Sequence, residues 1–254
     1  MAPEIVFFDF HLPTYFITLS LIFSGLLLWW YQKLQVLGRD LELGLNLALV
    51  ILVCGLMGAR LLHVIIEEPA HYRQNFLDIF AFWQGGFVYY GGLILGFCGA
   101  FFYLKLWNQK SRQLKMPMQD WRNWADDLAP LISLGYALGR GACFLNGCCF
   151  GKFCNLPWAV NGRHPTQIYA SLGELLWLAW ILFAGRGFWQ KSPGRLFFLW
   201  LLGHSALRIP MEAFRDDPRG FLGGTWSPSS LLSFGLFGLS LTYLVRTMRP
   251  DPAD

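Results

Sequence analysis

Apolar residues arrive here in unbroken blocks of bilayer length, and that leaves few folds open to the chain. A membrane-crossing helix needs about 20 mostly apolar residues. Seven blocks approach that length, at 14–31, 43–66, 87–106, 128–150, 167–184, 195–214 and 228–247. Their apolar residues are continuous rather than striped at helical spacing, as expected of helices facing lipid. Charged residues make up only 14% of the 254 positions, against about a quarter in soluble domains. A mostly wetted surface is therefore excluded. The expectation is an all-α, polytopic membrane bundle of about seven transmembrane helices, forming one domain over 1–254. A small outer head would come from 150–165, between the fourth and fifth spans.

The net charge of +4 raises the question of a nucleic-acid partner. The basic residues are not clustered as such a footprint requires; they fall between the apolar blocks. Lysine and arginine accumulate on the cytoplasmic side of membrane proteins. Twelve of them, among them Lys105, Lys110, Arg112, Arg186, Lys191 and Arg249, fall in the odd-numbered connections and the tail. Five, including Lys152, Arg163, Arg215 and Arg219, fall on the other side. The N-terminus is thus expected outside and the C-terminus in the cytoplasm. The segment before the first block carries Glu4 and Asp9 and no basic residue. It lacks the basic n-region of a signal peptide, so the first block is expected to remain as a span.

Charges within a span are costly, by roughly 2.5–3.5 kcal/mol at a helix centre, and need a reason. Arg60, Arg140, Arg208, Glu174 and Glu212 are such residues. Arg60, in Gly58-Ala59-Arg60, reads most simply as a structural pair or a snorkelling side chain. Glu174 could pair with an arginine of a neighbouring helix. Arg140 lies in Gly139-Arg140-Gly141, followed by Asn146-Gly147. Glycines weaken a helix and let backbone approach a ligand, so this run suggests a helix break holding an anion. Arg208 and Glu212 share a helical face, as a simple ion pair would, although Pro210 loosens that turn. Arg215 and Arg219 follow at the outer interface, where guanidinium groups suit phosphate headgroups.

Two further segments carry polar groups beside glycine or at a span entrance. Tyr90 precedes Gly91-Gly92, and its hydroxyl could face a cavity, while the glycines also fit close helix packing. His164 opens the fifth span, and histidine is the side chain most easily poised for proton transfer near neutral pH. A structural role is equally available to it. Trp107, Trp121 and Trp124 suit an interfacial belt.

Read in chain order, these motifs resemble the prolipoprotein diacylglyceryl transferase family. The resemblance runs through Pro13-Thr14-Tyr15, Gly58-Ala59-Arg60, Tyr90-Gly91-Gly92, the run from Gly139 to Lys152, His164-Pro165-Thr166-Gln167-Ile168-Tyr169, and Arg208 to Arg215. It implies a bacterial inner-membrane enzyme with seven crossings and a periplasmic N-terminus. The implied reaction moves the diacylglyceryl group of phosphatidylglycerol onto the lipobox cysteine of a prolipoprotein signal peptide, and glycerol phosphate leaves. No metal or organic cofactor is implied. Arg140 and Arg208 match the family's two important arginines, and Tyr90 and His164 become the candidates for proton removal. Asn146, Gly91, Gly92, Gly147, Glu212 and Arg215 are the implied substrate-binding residues.

The chain departs from the family's pattern at four positions. Tyr90 stands where histidine is common, Cys143 where asparagine is, Cys148 where glutamate is, and Ala170 where glutamate is. Cys143, Cys148, Cys149 and Cys154 also crowd one short stretch. Their C-x4-C-C-x4-C spacing does not match the paired spacing of structural zinc. Small buried thiols are the simplest reading, and a periplasmic disulfide is another. Two rival functions follow: a membrane thiol–disulfide oxidoreductase using this cluster, or a non-catalytic lipid- or lipoprotein-binding paralogue.

Overall fold

The computed structural model describes residues 4–7, 10–82, 85–184, 192–216 and 227–248. Arg186, Lys191, Arg219 and Arg249 lie outside the described residues. An N-terminal hairpin pairs strand β1 (Glu4–Phe7) antiparallel with β2 (Phe10–Pro13), Glu4 opposite Pro13. The other described elements are helical: α1 (Thr14–Val36), α2 (Leu41–Ile66), α3 (Pro69–Gln74), a 3-10 turn (Phe76–Phe80), α4 (Tyr89–Gln113), α5 (Trp121–Asn146), α6 (Thr166–Ala184), α7 (Arg195–Phe214) and α8 (Pro228–Met248). Each expected span thus coincides with a helix. Five of them, α2, α4, α5, α6 and α8, are long and apolar enough to cross a membrane. Helices α1 and α7 have 23 and 20 residues, enough in length for a crossing. The chain is a multi-pass membrane protein.

Helices run beyond the apolar blocks that foretold them. Expected at 87–106, α4 continues to Gln113 and stops before Lys115, at φ 56°, and Pro117. Hydropathy reports the length in lipid, whereas the helix persists while its residues favour it and ends where the backbone turns. Trp124, expected at the lipid interface, is instead buried at 1% exposure.

The chain divides into two compact units. The first combines Met1–Leu28, Arg122–Pro218 and Ser230–Asp254; the second combines Trp29–Trp121 and Arg219–Ser229. In the second unit α2 packs along α4 through glycines. A Cβ on Gly58 would come within 2.6 Å of Leu95 Cβ and would meet the Gly91 carbonyl oxygen. A Cβ on Gly91 would reach 2.6 Å from Leu62 Cβ and meet the Gly58 carbonyl. Lipid offers no hydrophobic drive for helices to associate, so such close backbone approach is what holds them. Arg60, on α2, is buried and donates to the carbonyls of Asp78 at 2.5 Å, Ile79 at 3.1 Å, Gly85 and Gly86. Its guanidinium lies 5.3 Å from the Tyr72 ring centroid. The structural reading of Arg60 is therefore the observed one: it fastens the α3–α4 connection to α2.

Three helices frame the first unit. Asp126, near the start of α5, accepts the backbone N–H groups of Gly194 at 2.6 Å and Phe197 at 2.8 Å, at the start of α7. Midway along, the rings of Tyr136 (α5) and His204 (α7) meet edge-on at 4.6 Å. Starts meet starts and middles meet middles, so α5 and α7 run parallel. Helix α6 runs against them, because Gly173 approaches Leu207 while Trp177 approaches Gly203.

Candidate active site

The buried polar chemistry of the first unit begins at Glu174, 1% exposed on α6. Its Oε1 accepts from Ser133 Oγ at 2.8 Å and Trp200 Nε1 at 2.6 Å, and its Oε2 lies 2.9 Å from His204 Nδ1. A carboxylate in an apolar bundle requires such donors. The partner expected for Glu174 was an arginine; the structure supplies a histidine, an indole and a hydroxyl. His204 in turn holds the Tyr136 ring, and the Tyr136 hydroxyl accepts from Arg140 Nε at 3.2 Å. Arg140 follows Tyr136 by one helical turn on α5, as Arg208 follows His204 on the parallel α7. The two arginines expected to act together thus stand at matching levels of neighbouring helices. Arg208 is buried, with Nη2 3.6 Å from Glu212 Oε2, the expected i,i+4 pair.

The glycine run of α5 breaks later than expected. The helix passes through Gly139 and Gly141 unbroken and ends at Asn146. There Gly147 N–H donates to the Phe144 carbonyl at 3.1 Å and Cys148 N–H to the Cys143 carbonyl at 3.1 Å. This crossed pair is the Schellman arrangement, with Gly147 at φ 77° in the left-handed position that glycine tolerates best. Cys149 is also left-handed, at φ 63°. Two successive reversals fold the chain back, so that the thiol sulfurs of Cys143, Cys148 and Cys149 lie within 4.8 Å of one another. The Cys148 thiol donates to the Cys143 carbonyl at 3.5 Å.

Beyond the turn, the segment between α5 and α6 is laced to both neighbours. Thr166 Oγ1 donates to the Cys149 carbonyl at 2.7 Å, and the Gln167 amide donates to that of Cys148. Gly151 N–H donates to the His164 carbonyl at 2.9 Å, and Lys152 N–H to the Phe214 carbonyl at 2.8 Å. A side chain at 151 would collide with the Phe214 carbonyl and approach His164 Cβ at 2.8 Å, so glycine is required there. This lacing places buried Arg215 opposite Gly151. Hydrogen bonding from Cys143 and Cys148, and then the charges of Arg215 and Arg140, hold the Cys149 thiol well below the ordinary thiol range. Cys149 also lines a cleft of about 330 Å³ with Gly147, Phe150, Arg163 and Asp216. Arg163 pairs with Asp216 at 3.2 Å. His164 keeps its ring against Phe214, with Nδ1 3.3 Å from the Tyr169 hydroxyl.

Arginines within a bundle, a glycine-turned helix end and a segment laced across it match a known family over nearly the whole chain. The family model described as prolipoprotein diacylglyceryl transferase matches residues 4–246. A phosphatidylglycerol–prolipoprotein diacylglyceryl transferase of Bordetella bronchiseptica is 35% identical, over 73% of this chain and 68% of that protein. One from Polynucleobacter asymbioticus is 32% identical over 82% and 79%, and one from Clostridium tetani 33% identical over 69% of each. The chain belongs to the prolipoprotein diacylglyceryl transferase family.

Of the family residues expected in this chain, Arg140, Asn146, Gly147, His164, Arg208, Glu212 and Arg215 belong to the first unit. Tyr90, Gly91 and Gly92 belong to the second, where Tyr90 is buried and Gly91 and Gly92 face Gly58 and Gly55 of α2. Helix packing, the structural alternative for those glycines, accounts for both. Sequence reasoning missed His204 and Tyr136. The signal for His204 was present: an ionisable residue inside an apolar span, one turn before Arg208.

Proposed function

We propose that this chain transfers the diacylglyceryl group of phosphatidylglycerol to the lipobox cysteine of a prolipoprotein signal peptide, in a bacterial inner membrane. Its N-terminus would be periplasmic and its C-terminus cytoplasmic, as the lysine and arginine distribution favours. The substrate sulfur, as thiolate, attacks the glyceryl CH2 carbon. The bond from that carbon to the phosphate oxygen breaks, its electron pair stays on oxygen, and glycerol phosphate leaves. Negative charge grows on the phosphate as the bond opens, so fixed guanidinium groups lower the barrier. Arg140 and Arg208 fill that role, and Arg215, just past the end of α7, is a third cation.

The observation that carries this reading is the contact of the Tyr136 and His204 rings between parallel helices, since Arg140 and Arg208 each follow one turn beyond those residues. Asn146 and Gly147 shape the turn beside them, and Glu212 offsets part of the Arg208 charge. His164→Ala and Tyr90→Phe separate the two candidates for proton removal: the residue whose loss slows transfer and changes its pH profile is the base. The deciding experiment is complementation of a transferase-depleted bacterium, with the mass of a reporter lipoprotein measured. A diacylglyceryl increment is expected; an unmodified cysteine despite good expression would reject the assignment.

A further inference from the structure

The reversals after α5 leave three thiols facing one another, and a thiol cluster inside a bundle has few chemical uses. We propose that Cys143, Cys148 and Cys149 form a trithiolate site for a thiophilic divalent cation such as Zn2+, which takes the acceptor cysteine thiol as its fourth ligand. The second half of this statement rests on the transfer reading; the first half does not.

Zinc–sulfur bonds of about 2.3 Å in a tetrahedron put the sulfurs roughly 3.8 Å apart. Sulfurs already within 4.8 Å need only a small contraction to reach that spacing. The backbone bearing two of them is held from outside, since the carbonyls of Cys148 and Cys149 are fastened by Gln167 and Thr166. Charge also balances. Three thiolates and one divalent cation leave a single negative charge, and the same unit holds Arg140, Arg208 and Arg215 within its buried and half-buried interior. Cys154, the fourth cysteine of the stretch, stands apart from the group. Three protein ligands with one open position is the arrangement of catalytic rather than structural zinc. Cys149 belongs both to the cluster and to the open cleft beside Arg163 and Asp216, so the cleft is the route to that position.

The chemistry such a site adds is the one this reaction needs. A coordinating thiol is deprotonated outright. The substrate thiol binds the metal, its proton passes to water in the cleft, and the bound sulfur attacks the glyceryl carbon. The carbon–oxygen bond breaks with its electron pair leaving on the phosphate oxygen. The thioether product carries no charge, binds the cation weakly and departs. No side-chain base is then required at Tyr90.

Cobalt is the probe. The reduced full-length protein, stripped of metal in detergent micelles, is titrated with Co2+. One equivalent should bind, with sulfur-to-cobalt charge-transfer absorption. Cys143→Ser, Cys148→Ser and Cys149→Ser should each weaken binding at least tenfold, and Cys154→Ser should leave it intact. Cys143→His, which keeps a ligand, should still bind while shifting the charge-transfer band, a response that misfolding does not produce. A lipobox peptide should raise the charge-transfer intensity by about a third, as expected for a fourth thiolate, and its serine counterpart should not. Cobalt binding that survives the triple serine variant, or no binding at all, would overturn the site. So would a disulfide joining two of the three cysteines in protein taken directly from the membrane. A spectrum unmoved by the cysteine peptide, or lipid transfer undiminished in the triple serine variant, would overturn the activation step alone. Absence of lipid transfer in a protein that binds cobalt and the peptide thiol would refute the transfer reading and leave the metal site standing.

Discussion

Both units hold an arginine within an apolar bundle, and its surroundings differ. Arg60, at 2% exposure, is enclosed by backbone carbonyls of the connection it fastens. Arg140 is half-buried, and its hydrogen bonding among the described residues is a single contact, from Nε to Tyr136. A guanidinium has five donors. One whose donors are taken by carbonyls is part of the frame, whereas one held by a phenol at its inner nitrogen has its outer fork left over from that contact. Burial of charge alone therefore does not mark a site; what faces the charge does.

That contrast can be broken by substitution. Arg140→Ala and Arg208→Ala should each reduce lipid transfer at least 100-fold, about 3 kcal/mol of transition-state stabilisation. Thermal unfolding in detergent should barely change in Arg140→Ala. Undiminished transfer in either variant would remove that arginine from the mechanism. Glu174→Ala strips an acceptor from Ser133, Trp200 and His204 and should cost about 3 kcal/mol of stability, read as a lowered unfolding temperature. Arg60→Ala should act on folding rather than chemistry. It leaves several carbonyls without their donor, a loss of about 2–3 kcal/mol, while the transfer rate per folded molecule stays near wild type. A large rate loss in folded Arg60→Ala would erase the distinction between the two arginines.

Much of this was legible in the sequence, for identifiable reasons. The positions of the long helices follow from hydropathy, because lipid punishes polar side chains along a whole helix. Arg140 and Arg208 stood out because a charge there is costly. The partner of Glu174 was not legible, since it comes from helices 41, 26 and 30 residues away, at Ser133, Trp200 and His204. The thiol cluster was hidden for a different reason. Spacing rules for metal ligands assume that the intervening chain forms a familiar turn, whereas here a helix end and two left-handed residues supply the reversal. Gly147 signalled a stop; nothing in the residues announced that Cys149 would also be left-handed.

The smallest expected effects test what the glycines are for. Gly91 and Gly139 both lie in helices and both read from sequence as places where backbone could approach something. An added methyl at 91 meets the Gly58 carbonyl and approaches Leu62 Cβ at 2.6 Å, whereas one at 139 has nothing within 4 Å. Gly91→Ala should force α2 and α4 apart and cost about 2 kcal/mol. Gly139→Ala should be neutral or stabilise the helix by up to about 1 kcal/mol, since alanine favours helix over glycine. The measurement is the unfolding temperature of each variant in the same detergent, with transfer activity alongside. If Gly139→Ala keeps its stability and loses transfer, the open space beside 139 is where the lipid lies, and the glycine serves substrate approach. If it keeps both, the glycine run of α5 matters only at Gly147, where the chain turns.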